Sequence, residues 1–537
     1  MSKSNPKKMK QVANKAGIYL LFISLFVACF FPPVRGFSEE WLSPKWIFTE
    51  TIGLIFILIL GIQGAIVGKF KNFRWYAFVD HGYVEKVFCE TLVVIAFSEA
   101  IYSISLIFLD GHRSGTFENP AGLAFCLCVS VPFHVFLWKK WNGKYFYRYK
   151  LLVSAIVIVV AILCTQSRTG WICLGLYTFL WLQRRWKGYY LMKIVGSVVV
   201  IVSLVCIALN FKTDSTLGRR FILERSWDLI LAHPFEGYGC GGFLQNYMPE
   251  QASYFKQNVD STYAWLASEV YHPLNEFVWI WIEFGLLGVL LSIGLLVWIF
   301  IELLRDKTMF SNVLSASLCA LIVFSLFSYP LKYPLASVVL IVAIGRVCVK
   351  KISSINIFCC RWISVVGVLG SVVGLIIIAV SYSYEYKWSK VARYSLHGYS
   401  QEMMPQYAEL YKHYCHNASF LYNYTIEQFY AGQYEGAMKT AKECMRLWPS
   451  YNLTLLTGDI CRSSGNFKEA IRFYELAHFM CPVRFAPLEG LYYAYKLENE
   501  LFKADSIAIL IEQKRIKVNS FDVQRIKKNI YIDNKKQ

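Results

Sequence analysis

Charged residues are scarce in this chain: 17% of its 537 residues are Asp, Glu, Lys or Arg, whereas soluble domains carry about 25%. Hydrophobic residues make up 56% and aromatic residues 17% of the sequence. This composition excludes an ordinary soluble globular protein. It predicts a polytopic membrane protein with some soluble mass attached.

The chain also lacks a basic face with interleaved aromatic residues, although its formal net charge is +19. The positive charge occurs in short clusters between apolar runs, a distribution that the positive-inside rule of membrane proteins explains. We therefore expect no nucleic-acid partner.

Cysteine pairs with zinc-like spacing are missing too. None of the 16 cysteines belongs to a Cys-x-x-Cys pair, and most lie in apolar runs, where cysteine behaves as a small hydrophobic residue. The sequence thus implies no metal site and no cofactor.

What the chain does contain is a series of apolar runs long enough to span a bilayer. The first run follows a lysine-rich amino terminus, and no signal-peptide cleavage pattern comes after it. The predicted spans are 16–31, 46–68, 87–109, 120–138, 149–165, 167–183, 190–210, 275–301, 312–329, 332–349 and 361–383. We predict an all-α, polytopic helical membrane protein with about 11–12 spans.

The distribution of charge predicts the topology. With the amino terminus inside, every inner connection is basic, as the positive-inside rule requires. The residues concerned are Lys69, Lys71, Arg74, Lys139, Lys140, Lys144, Arg148, Lys150, Arg184, Arg185, Lys187, Arg305, Lys307, Lys350 and Lys351. The large loop 211–274 then lies outside, and an odd number of spans places the C-terminal tail outside as well. We predict a transmembrane domain over 1–383.

The tail, residues 384–537, is charged and contains no span, and two of its segments match at an offset of 33 residues. The matched pairs are Gly432 and Gly465, Tyr434 and Phe467, Ala437 and Ala470, and Pro449 and Pro482. This pattern resembles tetratricopeptide repeats, whose period is about 34, and a third, degraded unit runs through Leu501 and Ala504. We expect a C-terminal α-solenoid. The sequence leaves open whether it is a spacer or binds a protein partner.

Three polar segments contain the candidate functional residues. Arg168 lies between two apolar runs on the predicted outer side, and its planar guanidinium suits bidentate contact with phosphate. His272 ends the large loop; a histidine side chain has an unperturbed pKa near 6.5 and can accept a proton from a hydroxyl at neutral pH. The spacing of His272 and Asn275 predicts that both lie on one helical face. Arg113 and Asn119 lie in a further outer loop, where Asn119-Pro120 is typical of a helix start.

The ordered set of motifs resembles the O-antigen ligase/polymerase superfamily over about residues 16–383. The motifs are Gly-Thr-Phe-Glu-Asn-Pro-Ala-Gly (115–122), Ser-Arg-Thr-Gly (167–170), Gly-Arg (218–219), Ser-Trp (226–227), His-Pro-Phe-Glu-Gly-Tyr-Gly (233–239), His-Pro-Leu-Asn-Glu (272–276) and Glu-Phe-Gly-Leu-Leu-Gly (283–288). One departure is Leu223, where relatives often carry an aromatic residue, and this affects the register of the arginines around it.

The resemblance implies a metal-independent, inverting transfer of a glycan from undecaprenyl diphosphate at the outer face of the bacterial inner membrane. It implies catalytic roles for His272, Arg168 and Arg219. We expect Arg113, Asn119, Arg220, Arg225, Asn275 and Glu276 to contact substrate. The implied partners are the lipid-linked glycan, a lipid A-core or other glycan acceptor, and membrane lipid.

Several alternatives remain at this stage. Within the same chemistry, the acceptor distinguishes an O-antigen ligase, a polysaccharide polymerase and a protein O-oligosaccharyltransferase. A transporter is a different class. Glu90 and Glu99 in the third span are a faint hint of one, but the spans show no internal repeat, which a transporter often has. A non-catalytic membrane scaffold that displays the tail is another.

Overall fold

All regular secondary structure in the described residues is helical. A computed structural model describes residues 6–34, 39–67, 81–141, 145–185, 213–352 and 357–535. The model is 83% helical, and no strand occurs among the described residues. The prediction of an all-α fold is therefore confirmed.

The described helices are numbered in chain order. The first six are α1 (Pro6–Cys29), α2 (Ser43–Val67), α3 (His81–Asp110), α4 (Pro120–Lys140), α5 (Tyr145–Cys164) and α6 (Arg168–Arg185). The next six are α7 (Thr213–Ala232), α8 (Gly242–Gln257), α9 (Glu276–Asp306), α10 (Met309–Phe327), α11 (Pro334–Ile352) and α12 (Ile357–Tyr394). The C-terminal helices are α13 (Ser400–Tyr414), α14 (Ala418–Tyr430), α15 (Tyr434–Leu447), α16 (Tyr451–Ser463), α17 (Phe467–Met480), α18 (Ala486–Leu497), α19 (Leu501–Gln513) and α20 (Phe521–Lys535).

Six helical segments among the described residues are long and apolar enough to cross a membrane. They are Gly82–Asp110, Pro120–Lys140, Tyr145–Cys164, Glu276–Asp306, Met309–Phe327 and Ser364–Tyr414, with Gly17–Cys29 and Pro334–Cys348 as shorter apolar helices. The protein is therefore a multi-pass membrane protein. The predicted span 190–210 lies outside the described residues.

The chain forms two compact units, of which the first comprises Met1–Phe211 and Ser292–Tyr386. Its core surrounds α4, whose side chains between Gly122 and Leu137 are nearly all buried. Helices α1, α3, α5, α10 and α11 contribute the facing apolar residues. The Ser317 hydroxyl donates a hydrogen bond to the Val129 carbonyl over 3.0 Å, so α10 and α4 are also joined by a polar contact inside the core.

The second compact unit comprises Lys212–Leu291 and Lys387–Gln537. Three of its helix pairs, α14–α15, α16–α17 and α18–α19, share the same turn. Gly432, Gly465 and Asn499 each have a positive φ, of 75°, 80° and 60°. The residue after each turn donates its amide to the carbonyl five positions earlier, over 2.9 Å in all three cases: Gln433 to Gln428, Asn466 to Cys461 and Glu500 to Tyr495. The 33-residue sequence offset thus corresponds to a repeated helix–turn–helix unit.

Residues of the large loop share a hydrophobic core with the C-terminal helices. The loop supplies Leu229, Ile230, Phe243, Tyr247, Met248, Ala252 and Val270, and the C-terminal helices supply Tyr451, Ala477, Met480 and Cys481. Helix α8 packs against α17 and α15. The loop is therefore folded onto the tail within a single compact unit.

Helix α9 is interrupted at Gly285, which has φ 65° and ψ −169°. The backbone of the glycine-rich turn 233–241 forms hydrogen bonds with the α9 backbone on both sides of this interruption. The Tyr238 amide donates to the Ile282 carbonyl over 2.8 Å, the Gly239 amide to the Glu283 carbonyl over 2.9 Å, and the Leu286 amide to the Pro234 carbonyl over 3.0 Å. Backbone groups freed by a break in an apolar helix need such partners, since lipid cannot supply them.

Replacing Gly285 by alanine tests this arrangement. A side-chain Cβ there would overlap the Phe235 carbonyl oxygen. The backbone conformation is also one that glycine alone adopts at low cost, which adds about 1–3 kcal/mol of strain. We expect Gly285→Ala to lower the apparent unfolding temperature of the full-length protein in detergent. Gly294→Ala, in the same helix with open space around it, should leave it unchanged; equal losses in both variants would contradict the role of the turn.

Candidate functional site

Arg168 begins helix α6, and its neighbours in the Ser-Arg-Thr-Gly motif are used for packing. Ser167 and Thr169 are buried, and the Ser167 hydroxyl accepts a hydrogen bond from the Gly170 amide over 3.3 Å. A Cβ on Gly170 would lie 3.2 Å from that of Ala124 on α4. The small residues of the motif therefore fix the start of α6 against α4, and the half-buried Arg168 side chain is the member of the motif with accessible surface.

The loop before α4 is held by buried polar contacts. The Glu99 carboxyl group accepts hydrogen bonds from the Thr116 amide over 2.8 Å and from its hydroxyl over 3.1 Å. The Lys45 side chain, 1% exposed, lies 4.5 Å from the Phe117 ring centroid. Glu99, one of the two residues that hinted at a transporter, thus holds a loop in place. The other, Glu90, accepts a hydrogen bond from the Tyr19 hydroxyl over 2.6 Å.

Asn119 has a structural role at the start of α4. Its Oδ1 accepts a hydrogen bond from the Gly122 amide over 2.8 Å, and its Nδ2 donates to the hydroxyls of Tyr329 and Tyr333 over 2.7 and 3.0 Å. Pro120 is the first residue of the helix. The predicted helix start at Asn119-Pro120 is confirmed. Arg113, in the same loop, is exposed.

Arg220 and Arg225 on α7 each have an acidic partner on the same helix. Arg220 is exposed and lies 2.7 Å from Glu224. Arg225 is largely buried, lies 2.6 Å from Asp228 and stacks 4.2 Å from the Tyr254 ring centroid. These contacts tie Arg225 to the interior of the second unit. Arg219, between the exposed and buried faces of α7, is half-buried.

His272 lies in a segment without regular structure. Residues 271–275 precede α9, and Leu274 has a positive φ of 58°. The prediction that His272 and Asn275 share one helical face is therefore wrong. The physical reason is Pro273, since a residue before proline is disfavoured in the α conformation.

The imidazole of His272 packs edge-on against Trp279 in the second turn of α9. The ring centroids lie 5.4 Å apart with an interplanar angle of 81°. The Trp279 indole donates to the Glu283 carboxyl group over 2.7 Å, and the same oxygen accepts from the Gly241 amide over 3.0 Å. Glu283 therefore fixes Trp279 and the glycine-rich turn together, and through Trp279 it constrains the position of the His272 ring.

Asn275 and Glu276 form the start of α9. The Asn275 Oδ1 accepts hydrogen bonds from the amides of Phe277 and Val278 over 2.9 and 3.1 Å, so Asn275 is the N-cap of the helix. Glu276 is 2% exposed. A carboxylate in the first turn is favoured by the helix dipole.

Glu269 and Tyr271, which the sequence did not single out, link the histidine segment to residues 448–452, which comprise the connection before α16 and the first two residues of that helix. The side-chain amide of Asn452 donates a hydrogen bond to the Glu269 carboxyl group over 3.0 Å. Burial raises the pKa of Glu269. Tyr271 packs on Trp448, with ring centroids 5.7 Å apart. No signal in the sequence identifies these partners, because about 180 residues separate them along the chain.

The candidate residues are distributed over both units. Arg113, Asn119 and Arg168 belong to the first, whereas Arg219, Arg220, Arg225, His272, Asn275 and Glu276 belong to the second. Among the described residues, no group of three or more His, Cys, Asp or Glu side chains is arranged to hold a metal ion.

Residues 151–293 match a family model described as O-Antigen ligase. The matched segment contains Arg168, the three arginines of α7 and the His272 segment. The match supports a place in the O-antigen ligase superfamily and a membrane role in glycan ligation or polymerisation. No curated protein matches the chain.

The N-cap role of Asn275 predicts a selective effect of substitution. Asn275→Ala removes the capping oxygen and should cost about 0.5–2 kcal/mol of stability, measured as a lower apparent unfolding temperature of the full-length protein. Asn275→Asp and Asn275→Ser keep an oxygen at this position and should behave like the unmodified protein. An equal loss in all three variants would show that the side chain is not acting as a cap.

Proposed function

We propose that this protein is a membrane glycosyltransferase that moves a glycan from undecaprenyl diphosphate to an acceptor hydroxyl, namely an O-antigen ligase acting on lipid A-core. The observation that supports this most directly is the family match over 151–293, since this segment contains both proposed catalytic arginines and His272. The apolar helices agree with a substrate that is itself anchored in lipid.

In the proposed reaction, Arg168 and Arg219 bind the diphosphate and stabilise the charge that grows on it as the glycosidic bond breaks. His272 removes the proton from the acceptor hydroxyl, whose oxygen attacks the anomeric carbon from the opposite face. A glycoside with inverted configuration forms, and undecaprenyl diphosphate leaves. Diphosphate is already a good leaving group, so the proposal requires no divalent cation.

The packing of the Ser-Arg-Thr-Gly motif supports the role of Arg168. Ser167, Thr169 and Gly170 are occupied by contacts that fix the start of α6, and Arg168 retains accessible surface for an anion. The fork of a guanidinium matches two phosphate oxygens. Arg220 lies beside Glu224 and Arg225 beside Asp228, and both remain proposed substrate contacts.

We further propose that the protein lies in the bacterial inner membrane, with loop 211–274 and the C-terminal helices in the periplasm. The basic inner connections support this orientation. The repeated turn at Gly432, Gly465 and Asn499 supports a tetratricopeptide-like solenoid over 384–537.

Substitution of the two key side chains tests the proposal in cells. His272→Ala should reduce glycan attachment by about 10²–10⁴-fold, the range for a general base. Arg168→Ala should reduce it by about 10²–10³-fold. The measurement is surface glycan on cells that depend on the variant, with the amount of variant protein in the membrane determined in parallel.

Arg472→Ala is the matched control, because it removes an exposed arginine of the C-terminal helices whose ion pair with Glu469 contributes little. It should attach glycan at the unmodified level. Wild-type glycan in both His272→Ala and Arg168→Ala cells would reject the assignment.

The products in cells that lack the protein distinguish a ligase from a polymerase. For a ligase, we expect full-length polymer to accumulate unattached, because polymerisation continues while its transfer to lipid A-core stops. A lipopolysaccharide gel that shows single-repeat products instead would indicate a polymerase, and an unchanged lipopolysaccharide with under-glycosylated proteins would indicate a protein O-oligosaccharyltransferase.

A further inference from the structure

The segment that carries His272 has no regular structure of its own, so tertiary contacts determine its position. It follows a 3-10 turn at Thr262–Trp265 and ends at α9. Leu274, within it, adopts a positive φ of 58°, a conformation that persists in a non-glycine residue only when its surroundings enforce it. The contacts of residues 266–275 therefore control where the imidazole lies.

One such contact comes from Gln251 on α8, which is 0% exposed. Its Nε2 donates to the Ser268 carbonyl over 3.1 Å and to the Met480 carbonyl over 2.6 Å. A single buried amide thus joins the histidine segment to the C-terminal end of α17. Because a buried amide that loses a hydrogen-bond partner is unfavourable, this bridge favours one position of the segment.

The second contact is the carboxyl group of Glu269, three residues before His272. It accepts a hydrogen bond from the side-chain amide of Asn452 over 3.0 Å, and the nearby polar groups of Tyr271, Tyr451 and Ser450 favour its charged form. Asn452 and Tyr451 belong to the first turn of α16, and Ser450 is the N-cap of that helix. The Tyr271 ring packs on Trp448, in the connection before α16.

We propose that the C-terminal helices act as part of the catalytic unit by positioning His272, with Glu269 and Asn452 as the positioning pair. This inference rests on the proposed role of His272 as the general base. A general base works only when it is held in place relative to the hydroxyl, and a displacement of about 1 Å can cost about 100-fold in rate. Residues 448–452 provide this restraint from a part of the chain that the sequence pattern assigns to a separate repeat domain.

The pair allows an exchange experiment. Asn452→Asp places a second carboxyl group against Glu269 in place of an amide donor, and Asn452 is exposed, so the variant should still fold. In the double variant Glu269→Gln with Asn452→Asp, the amide and the carboxyl group exchange sides and the hydrogen bond can form again. Asn519→Asp is the matched control, because it adds the same charge at an exposed position in the tail and retains the oxygen that accepts from Gln524.

Two measurements are made on each purified full-length variant. The first is transfer of the lipid-diphosphate-linked glycan that accumulates in cells lacking the protein onto lipid A-core extracted from the same cells. The second is the rate at which diethyl pyrocarbonate modifies His272, followed by mass spectrometry, which reports on the environment of the imidazole without requiring turnover.

We expect Asn452→Asp to lower kcat by about 10–100-fold, the effect of a misplaced catalytic group, with KM changed by less than about twofold, and to change the modification rate of His272. The double variant Glu269→Gln with Asn452→Asp should recover most of the unmodified kcat and most of the unmodified modification rate of His272. Unchanged kcat and an unchanged modification rate in Asn452→Asp would overturn the positioning role, as would failure of the double variant to recover.

The two hypotheses fail in different ways. If His272→Ala retains full transfer, the proposed function of His272 is wrong whatever happens at Asn452. If His272→Ala abolishes transfer while Asn452→Asp is fully active with an unchanged modification rate, only the positioning role is wrong.

Discussion

The interruption of α9 at Gly285 is the constraint on which the second unit depends. A helix broken in an apolar environment exposes backbone groups that lipid cannot satisfy, and the turn 233–241 supplies the partners. The same turn is fixed by Glu283, which also holds Trp279 against His272. The two motifs are therefore partners. The motif at 283–288 interrupts the helix, and the motif at 233–239 supplies the missing backbone hydrogen bonds close to the candidate base.

The second constraint is the core that the large loop shares with the C-terminal helices. Apolar residues from α7, α8 and the start of α9 are buried together with residues of α16 and α17, and Gln251 bridges the same elements inside this core. The energetic consequence is that loop and tail stabilise each other. The functional consequence is that the segment carrying His272 is placed by residues nearly 200 positions further along the chain.

Local features of the site were predictable from the sequence, whereas its tertiary contacts were not. The helix start at Asn119 and the all-α fold follow from local preferences and apolar runs, and both are confirmed. The helical placement of His272 was wrong although a signal existed, since Pro273 disfavours helix at the preceding residue and Asn275 is a typical N-cap. The roles of Gln251 and Glu269 had no such signal, because each depends on partners distant in the chain.

The central claim is that His272 is the general base of a glycan transfer from a lipid-linked diphosphate that needs no metal. The most direct test is transfer by the purified full-length protein in excess EDTA, measured as glycan joined to lipid A-core. We expect undiminished product from the unmodified protein and only background from His272→Ala. Loss of product on chelation, or product from His272→Ala at the unmodified rate, would contradict it.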